Sequence, residues 1–124
     1  LHRRRNDASD IALELCDVAV LPTWYDPSSR FILEALAAGR PAVTTRFNGA
    51  AEMIRHHRHG AVIDRPDDID ALADALVYCA DFTHAKSMAA AIMDPSLQYR
   101  ISIARHARQL VELYESILQR RGVQ

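Results

Sequence analysis

Two carboxylates and a short run of backbone donors set the chemistry this sequence can do. Leu21-Pro22-Thr23-Trp24-Tyr25-Asp26-Pro27-Ser28-Ser29 leads into Glu34-Ala35-Leu36-Ala37-Ala38-Gly39, with Asp26 and Glu34 eight residues apart. Asp-Pro is a helix-opening pair, Asp as the cap and Pro in the first turn. A helix begun there separates Asp26 from Glu34 by about 12 Å along its axis. The N–H groups of Ser28, Ser29 and Arg30 then project unpaired from the helix start, where the positive end of the dipole favours an anion. Carboxylates accept hydrogen bonds from vicinal hydroxyls. A diphosphate cradle with a carboxylate near each end suits a nucleotide diphospho-sugar, with its ribose, two phosphates and hexose. The competing reading is purely structural: Asp26 only caps, and Glu34 pairs with Arg30 one turn earlier.

The elements that must position these residues are legible in the apolar pattern. Ser9 or Asp10 caps a short helix through about Cys16. Asp17 to Leu21 is apolar on both faces, as a buried parallel strand is, and ends at Pro22. The helix opened by Asp26-Pro27 carries Phe31, Ile32, Leu33 and Leu36 and closes at Gly39 before Pro41. Pro41 to Thr45 and Gly60 to Asp64 read as two further strands, with a loop at Asn48-Gly49 and a short helix over Ala50 to His57 between them. Asp67 or Asp68 caps a helix bearing Ile69, Leu72, Leu76 and Val77. Asp81 to Gln124 is almost wholly helical, broken near Asp94-Pro95-Ser96. Alternation of strand and helix predicts an α/β fold, a partial Rossmann-like parallel sheet of about three strands with a helical C-terminal extension. Residues 1–80 form the nucleotide-binding part and 81–124 the extension. Ligands in such folds sit at the carboxyl ends of the strands. Pro22 to Asp26, Arg46 to Gly49 and Arg65 to Asp67 all lie there.

Composition removes several function classes. The chain has 124 residues, enough for one domain, with 49% hydrophobic and 25% charged residues in globular proportion. Lys plus Arg is 15 against 16 for Asp plus Glu, which argues against a nucleic-acid partner. Two cysteines, Cys16 and Cys79, build neither a disulfide framework nor a Cys-type zinc site, and both read as buried small hydrophobes. No apolar run reaches membrane-spanning length, and no signal-peptide pattern is present. The opening Leu1, the basic run His2 to Arg5 and the thinness of a three-strand sheet lead to the expectation of a fragment of a longer protein.

The motifs together resemble a known family. Cys16-Asp17-Val18-Ala19-Val20-Leu21-Pro22, Asp26-Pro27, Leu33-Glu34-Ala35-Leu36-Ala37-Ala38-Gly39, Pro41-Ala42-Val43 and Asn48-Gly49-Ala50-Ala51-Glu52-Met53-Ile54 resemble the C-terminal, donor-binding domain of group 1 (family four) retaining glycosyltransferases of the GT-B fold. The family signature is Glu, seven residues, Glu, then Ala and later Gly-Xaa-Pro-Val. The likeness is dense from about Asp10 to Leu76. It is looser through Tyr114, where a long terminal helix is expected to cross back onto the other domain.

The resemblance implies residue roles. Glu34 matches the signature glutamate that binds the donor's ribose hydroxyls. Asp26 matches the one that contacts the donor hexose, and is the candidate catalytic residue. Ser28, Ser29 and Arg30 match the segment whose amides meet the diphosphate and sugar, and Asn48 and Gly49 complete the donor-binding set. The sequence departs from the pattern at Asp26, one methylene shorter than the usual Glu, and at Ser28-Ser29, which replaces Phe-Gly. The implied reaction is hexose transfer from a nucleotide diphospho-sugar to a glycan or lipid-linked acceptor, in the style of lipopolysaccharide or polysaccharide synthesis. The implied partners are that donor and an N-terminal acceptor-binding domain. The implied location is the cytoplasm, with peripheral attachment at the inner membrane face left open. A Lys and an Arg that serve the diphosphate in the family lie upstream of this segment, so this chain alone is expected to bind donor weakly and not to turn it over.

The remaining candidates carry less. His56, His57 and His59 resemble a metal cluster, but adjacent histidines at a helix end point about 100° apart and chelate poorly. No metal and no cofactor is expected. Glu52 reaches a ligand or faces solvent, and Trp24 and Tyr25 flank a ligand or pack. Two other readings stay open: a non-catalytic nucleotide- or phosphate-binding or partner-docking module, supported by Asp26 and Ser29, and a helical scaffold. The scaffold would use Arg100 to Arg121, with five arginines and two glutamates, against a partner or an anionic membrane.

Overall fold

The computed structural model of the protein describes residues 8–122. The basic run at His2 to Arg5 lies outside them. The chain order is α1 (Ala8–Leu15), β1 (Ala19–Leu21), α2 (Arg30–Ala37), β2 (Ala42–Thr45), a 3-10 turn (Gly49–Met53), β3 (Gly60–Ile63), α3 (Ile69–Ala80), α4 (Phe82–Ile92), α5 (Pro95–Arg100) and α6 (Ile103–Arg120). The three strands make one parallel sheet in the order β1-β2-β3. Ala19 lies beside Ala42, and Val43 beside Ala61.

The expected strands are present but shorter by one or two residues at one end, β1 and β2 starting later and β3 ending earlier. β2 is buried along its whole length, as the apolar Ala42-Val43 and the inward hydroxyls of Thr44 and Thr45 require. The main core joins Ile32 and Leu36 of α2, Val43 of β2, Ala61 and Ile63 of β3, Cys79 of α3, Met88 and Ile92 of α4 and Leu97 of α5. Burying each of the large aliphatic side chains contributes roughly 1.5–3 kcal/mol. α2 closes at Gly39, whose φ of +80° suits glycine and lets the Arg40 amide return to the Ala35 carbonyl at 2.9 Å. Arg40 then reaches across to α1, donating to the Leu13 and Glu14 carbonyls at 2.9 and 2.8 Å. A guanidinium there satisfies orphan carbonyls and suits the negative end of the α1 dipole.

Several expectations need correction. α1 begins at Ala8 and already includes Ser9 and Asp10, so neither is its cap. The helix read over Ala50 to His57 is a five-residue 3-10 turn, Gly49–Met53, and the chain beyond it is a turn into β3. His57 sits at φ +63° there. The 100° helical step between His56 and His57 therefore does not apply, and their rings stack with centroids 3.9 Å apart. The column continues through Tyr78 (3.8 Å) to His84 (3.9 Å). Cys16 is half-buried rather than buried, while Cys79 is buried and its thiol pKa is pushed up by that burial. Helix α3 is capped by Asp68, not Asp67. The break at Asp94-Pro95 is where expected, with Asp94 capping α5. α6 is amphipathic, yet none of its residues is buried.

Candidate active site

The three strand-end loops lie at the carboxyl edge of the sheet, and side chains from β2 tie down the first of them. The Thr44 hydroxyl donates to the Leu21 carbonyl at 2.7 Å, and the Thr45 hydroxyl donates to the Thr23 carbonyl. The Asp26 amide donates to the Phe47 carbonyl at 3.3 Å, and the Gly49 amide to the Asp26 carbonyl at 2.8 Å. Asn48, 1% exposed, is the hub. Its carbonyl oxygen accepts from the amides of Ser29 (3.3 Å) and Ala50 (3.0 Å), and its amide nitrogen donates to Thr44 Oγ1 (3.1 Å). Gly49 is required by contact rather than by conformation. A Cβ on it would lie 1.7 Å from the Pro27 carbonyl oxygen.

This network starts α2 later than Asp26-Pro27 suggests. The helix opens at Arg30, and its cap is Ser29, whose Oγ accepts from the Ile32 amide at 3.4 Å. Asp26 instead accepts from the Ser28 amide at 3.1 Å, two residues on. An Asx turn of this kind competes with capping because the same short carboxylate can satisfy either donor. The set of open donors shifts accordingly. The Ser28 and Ser29 amides are taken, by Asp26 and Asn48. Those of Arg30 and Phe31 find no acceptor among the described residues. Of the predicted trio, only Arg30 keeps a free amide, and Phe31 was missed. The signal for it was in the sequence, since Ser29 is itself a good cap.

The carboxylates frame these two amides. Asp26 is half-buried in the loop before the helix. Glu34 lies one turn into α2 with its side chain 31% exposed, facing Arg30 at 3.5 Å. It is not sealed beneath neighbours. The Arg30–Glu34 pair anticipated by the structural reading is present, but Arg30 is 88% exposed, so the contact is worth only a few tenths of a kcal/mol and yields readily to a ligand. Ser28 is exposed beside the open amides, whereas Ser29 is 5% exposed and is spent on the cap.

Aromatic and basic side chains line the outer part of the same edge. Trp24 and Tyr25 are exposed, at 54% and 81%. Trp24 meets Phe47 with centroids 5.7 Å apart. The Arg65 guanidinium lies 5.2 Å from the Trp24 ring centre, and that of Arg46 4.9 Å from Phe47. Asp67 chelates Arg65 at 2.9 and 2.8 Å, which lowers the pKa of its carboxyl. The sequence places Arg46, Phe47 and Arg65 at this edge but assigns them no role, because they touch Trp24 or one another only once the loops converge. Thr23 Oγ1 is buried there with no partner among the described residues. Elsewhere, the described residues contain no group of three or more His, Cys, Asp or Glu able to hold a metal. No described helix is long and apolar enough to cross a membrane.

Comparison with known proteins gives this geometry its context. The sequence model of the glycosyl transferases group 1 family matches residues 2–81. The D-inositol 3-phosphate glycosyltransferase of Corynebacterium urealyticum is 33% identical over 104 residues, which is 84% of this chain and 24% of that protein. The UDP-Gal:alpha-D-GlcNAc-diphosphoundecaprenol alpha-1,3-galactosyltransferase of Escherichia coli is 35% identical over 77 residues, 62% of this chain and 19% of the relative. A solved sucrose-phosphate synthase from Thermosynechococcus elongatus superposes with a TM-score of 0.77 at 23% identity, covering 89% of this chain and 27% of that one. That likeness shows the fold, part of a GT-B architecture. The chain spans about a quarter or less of the curated relatives named here. On the strength of the family match, which takes in well over half of its residues, the chain belongs to the glycosyl transferases of group 1.

Proposed function

We propose that this chain is the donor-binding part of a retaining hexosyltransferase that takes its sugar from a nucleotide diphospho-sugar. One observation carries the reading: two open amides, Arg30 and Phe31, start a helix between two partly exposed carboxylates, Asp26 and Glu34. The amides and the positive dipole end receive the diphosphate, with the Ser28 hydroxyl and the Arg30 side chain beside them. Glu34 accepts from the ribose hydroxyls at the cost of its weak bond to Arg30. Asp26 faces the hexose and is the candidate catalytic carboxylate. Ser29, Asn48 and Gly49 act by fixing the loop. As the glycosidic bond breaks, charge grows on the leaving diphosphate. Donors already aimed at it then stabilise the transition state without reorganising.

Residues 1–80 are the nucleotide-sugar unit in this reading, and 81–124 its helical extension. The retaining outcome rests on the resemblance of the Asp26 and Glu34 spacing to the family signature. The names of the relatives support a nucleotide-sugar donor, since one carries UDP-Gal and a diphosphoundecaprenol-linked acceptor in its name. A glycan or lipid-linked acceptor would be held by a separate N-terminal domain, at the cytoplasmic face of the membrane.

Calorimetric titration with UDP, UDP-glucose and GDP-mannose tests this. Weak saturable binding of one nucleotide is expected, reduced about tenfold in Glu34→Ala through loss of charge-assisted bonds to the ribose, with no sugar transfer by this chain alone. A folded chain that binds none of the three at millimolar concentration overturns the reading.

A further inference from the structure

A second cleft lies beside the amino-terminal ends of β2 and β3, away from the loops described above. It encloses about 410 Å³ between the turn that leads into β3 and the α4–α5 corner. Three arginines line it, Arg55, Arg58 and Arg100. Among the described residues, none of the three makes an ion pair. His59 reports how closely they gather. It is 9% exposed, and its Nδ1 accepts from the Arg55 amide at 3.0 Å. Its pKa is lowered first by burial, then by the positive charges of Arg58, Arg55 and Arg100. Burial and the arginine field both disfavour the imidazolium, and Nδ1 is already engaged as an acceptor.

The two acids in the cleft do not balance the arginines. Asp94 is engaged at the start of α5, where its Oδ1 accepts from the Ser96 amide at 2.9 Å and from the Ser96 hydroxyl. These bonds, and then the charge of Arg58, hold its carboxyl below the ordinary range. Glu52 is exposed and makes no ion pair among the described residues. Three guanidinium groups against two carboxylates, one of them engaged, leave unmatched positive charge in a concave site.

We propose that this cleft binds a small phosphomonoester, with Arg55, Arg58 and Arg100 as the cationic partners of its phosphoryl group. A guanidinium fork matches a tetrahedral oxyanion in two directions at once, which a point charge does not. The cleft is larger than a phosphate needs, and the buried side chains of Ile54 and Leu97 form apolar wall for an organic moiety. The site is separate from the donor site and stands or falls without it.

Amide-resolved NMR titration at constant ionic strength tests the proposal, with inorganic phosphate and glucose 6-phosphate as probes. Saturable shifts are expected at residues 55–59 and 96–100, with the Arg30 and Phe31 amides unmoved. Arg58→Ala, its spectrum otherwise unchanged, should weaken binding about tenfold. Glu52→Gln should tighten it about twofold by removing a repulsive charge. The His59 pKa should rise when the site fills, since a bound dianion cancels the arginine field. Tighter binding of glucose 6-phosphate identifies an organic phosphomonoester as the ligand, and equal binding identifies free phosphate. Both outcomes retain the phosphoryl site. Shifts that grow linearly and spread over the arginines of α6, or an Arg58→Ala variant with unchanged affinity, overturn it.

Discussion

The start of α2 and the starts of α3, α4 and α5 obey one capping rule to different ends. In the latter three the cap is an aspartate, Asp68, Asp81 or Asp94, exposed and bonded to an amide two or three residues on. Each places a carboxylate at the positive end of its own helix dipole and largely cancels it. In α2 the cap is the neutral and buried Ser29, and its amide is fixed by Asn48, nineteen residues away in sequence. The Asp26 carboxylate is held back in the loop by Ser28. α2 therefore keeps an electropositive first turn with two open donors on a base that cannot shift. The charge of a cap and the range of its bonds separate a helix end that only closes a helix from one that can receive an anion.

The largest test of that difference is Gly49→Ala. The new Cβ would meet the Pro27 carbonyl at 1.7 Å, and backbone cannot yield as a side-chain tip can. A loss of about 4 kcal/mol or more is expected, seen as a fall of about 15 °C or more in a circular dichroism melt. A melt within a few degrees of the parent would show that the α2 loop is not pinned. Asn48→Ala comes next. It strands the buried Ser29 and Ala50 amides, while the Thr44 hydroxyl keeps its bond to the Leu21 carbonyl, and should cost about 3 kcal/mol in urea unfolding. A cost below 1 kcal/mol would reduce Asn48 to an ordinary loop residue.

Ser29→Ala and Asp68→Ala each remove one capping bond and should cost about 1 kcal/mol alike. Only Ser29→Ala should change nucleotide affinity in calorimetry, and equal behaviour of the two would break the contrast. The smallest effect is expected from acid, which acts at the other end of the sheet. Burial lowers the pKa of His56 and of His59, helped by His57 in the first case and the arginines in the second. The unfolded chain, with imidazoles near 6.5, then takes up protons that the native state refuses. Stability is full above that value and falls as pH drops below it. Urea midpoints at pH 7.5 and 5.5 should differ in this sense, and by less in His59→Gln.

Much of this molecule was legible in its residues. The alternation of apolar runs with helical patterns yielded a three-strand parallel sheet in an α/β order, because burial on both faces leaves an unbroken Ala-Val-Leu signature. Asp26 and Glu34 stand out by residue type and spacing, whereas Asn48 and Gly49 read as a loop from residue type and joined the site only through the family resemblance. The start of α2 lies three residues later than Asp26-Pro27 indicates, since Asp26 has two local donors to choose between and sequence cannot rank them. The helix over Ala50 to His57 failed for a related reason. A strand-entry turn with His57 at positive φ has no apolar period to read.

Local composition therefore determined which segments fold into strands and helices, and which polar residues fall at the carboxyl edge of the sheet. Those features follow from side-chain burial and from hydrogen bonds a few residues long. Tertiary structure alone decided which amides at the α2 start stay open, that Asn48 is buried, and that Arg55, Arg58 and Arg100 share one cleft. Each depends on groups distant in the chain and brought together only when the sheet and its helices close. A contact of that kind carries no signature at either residue by itself.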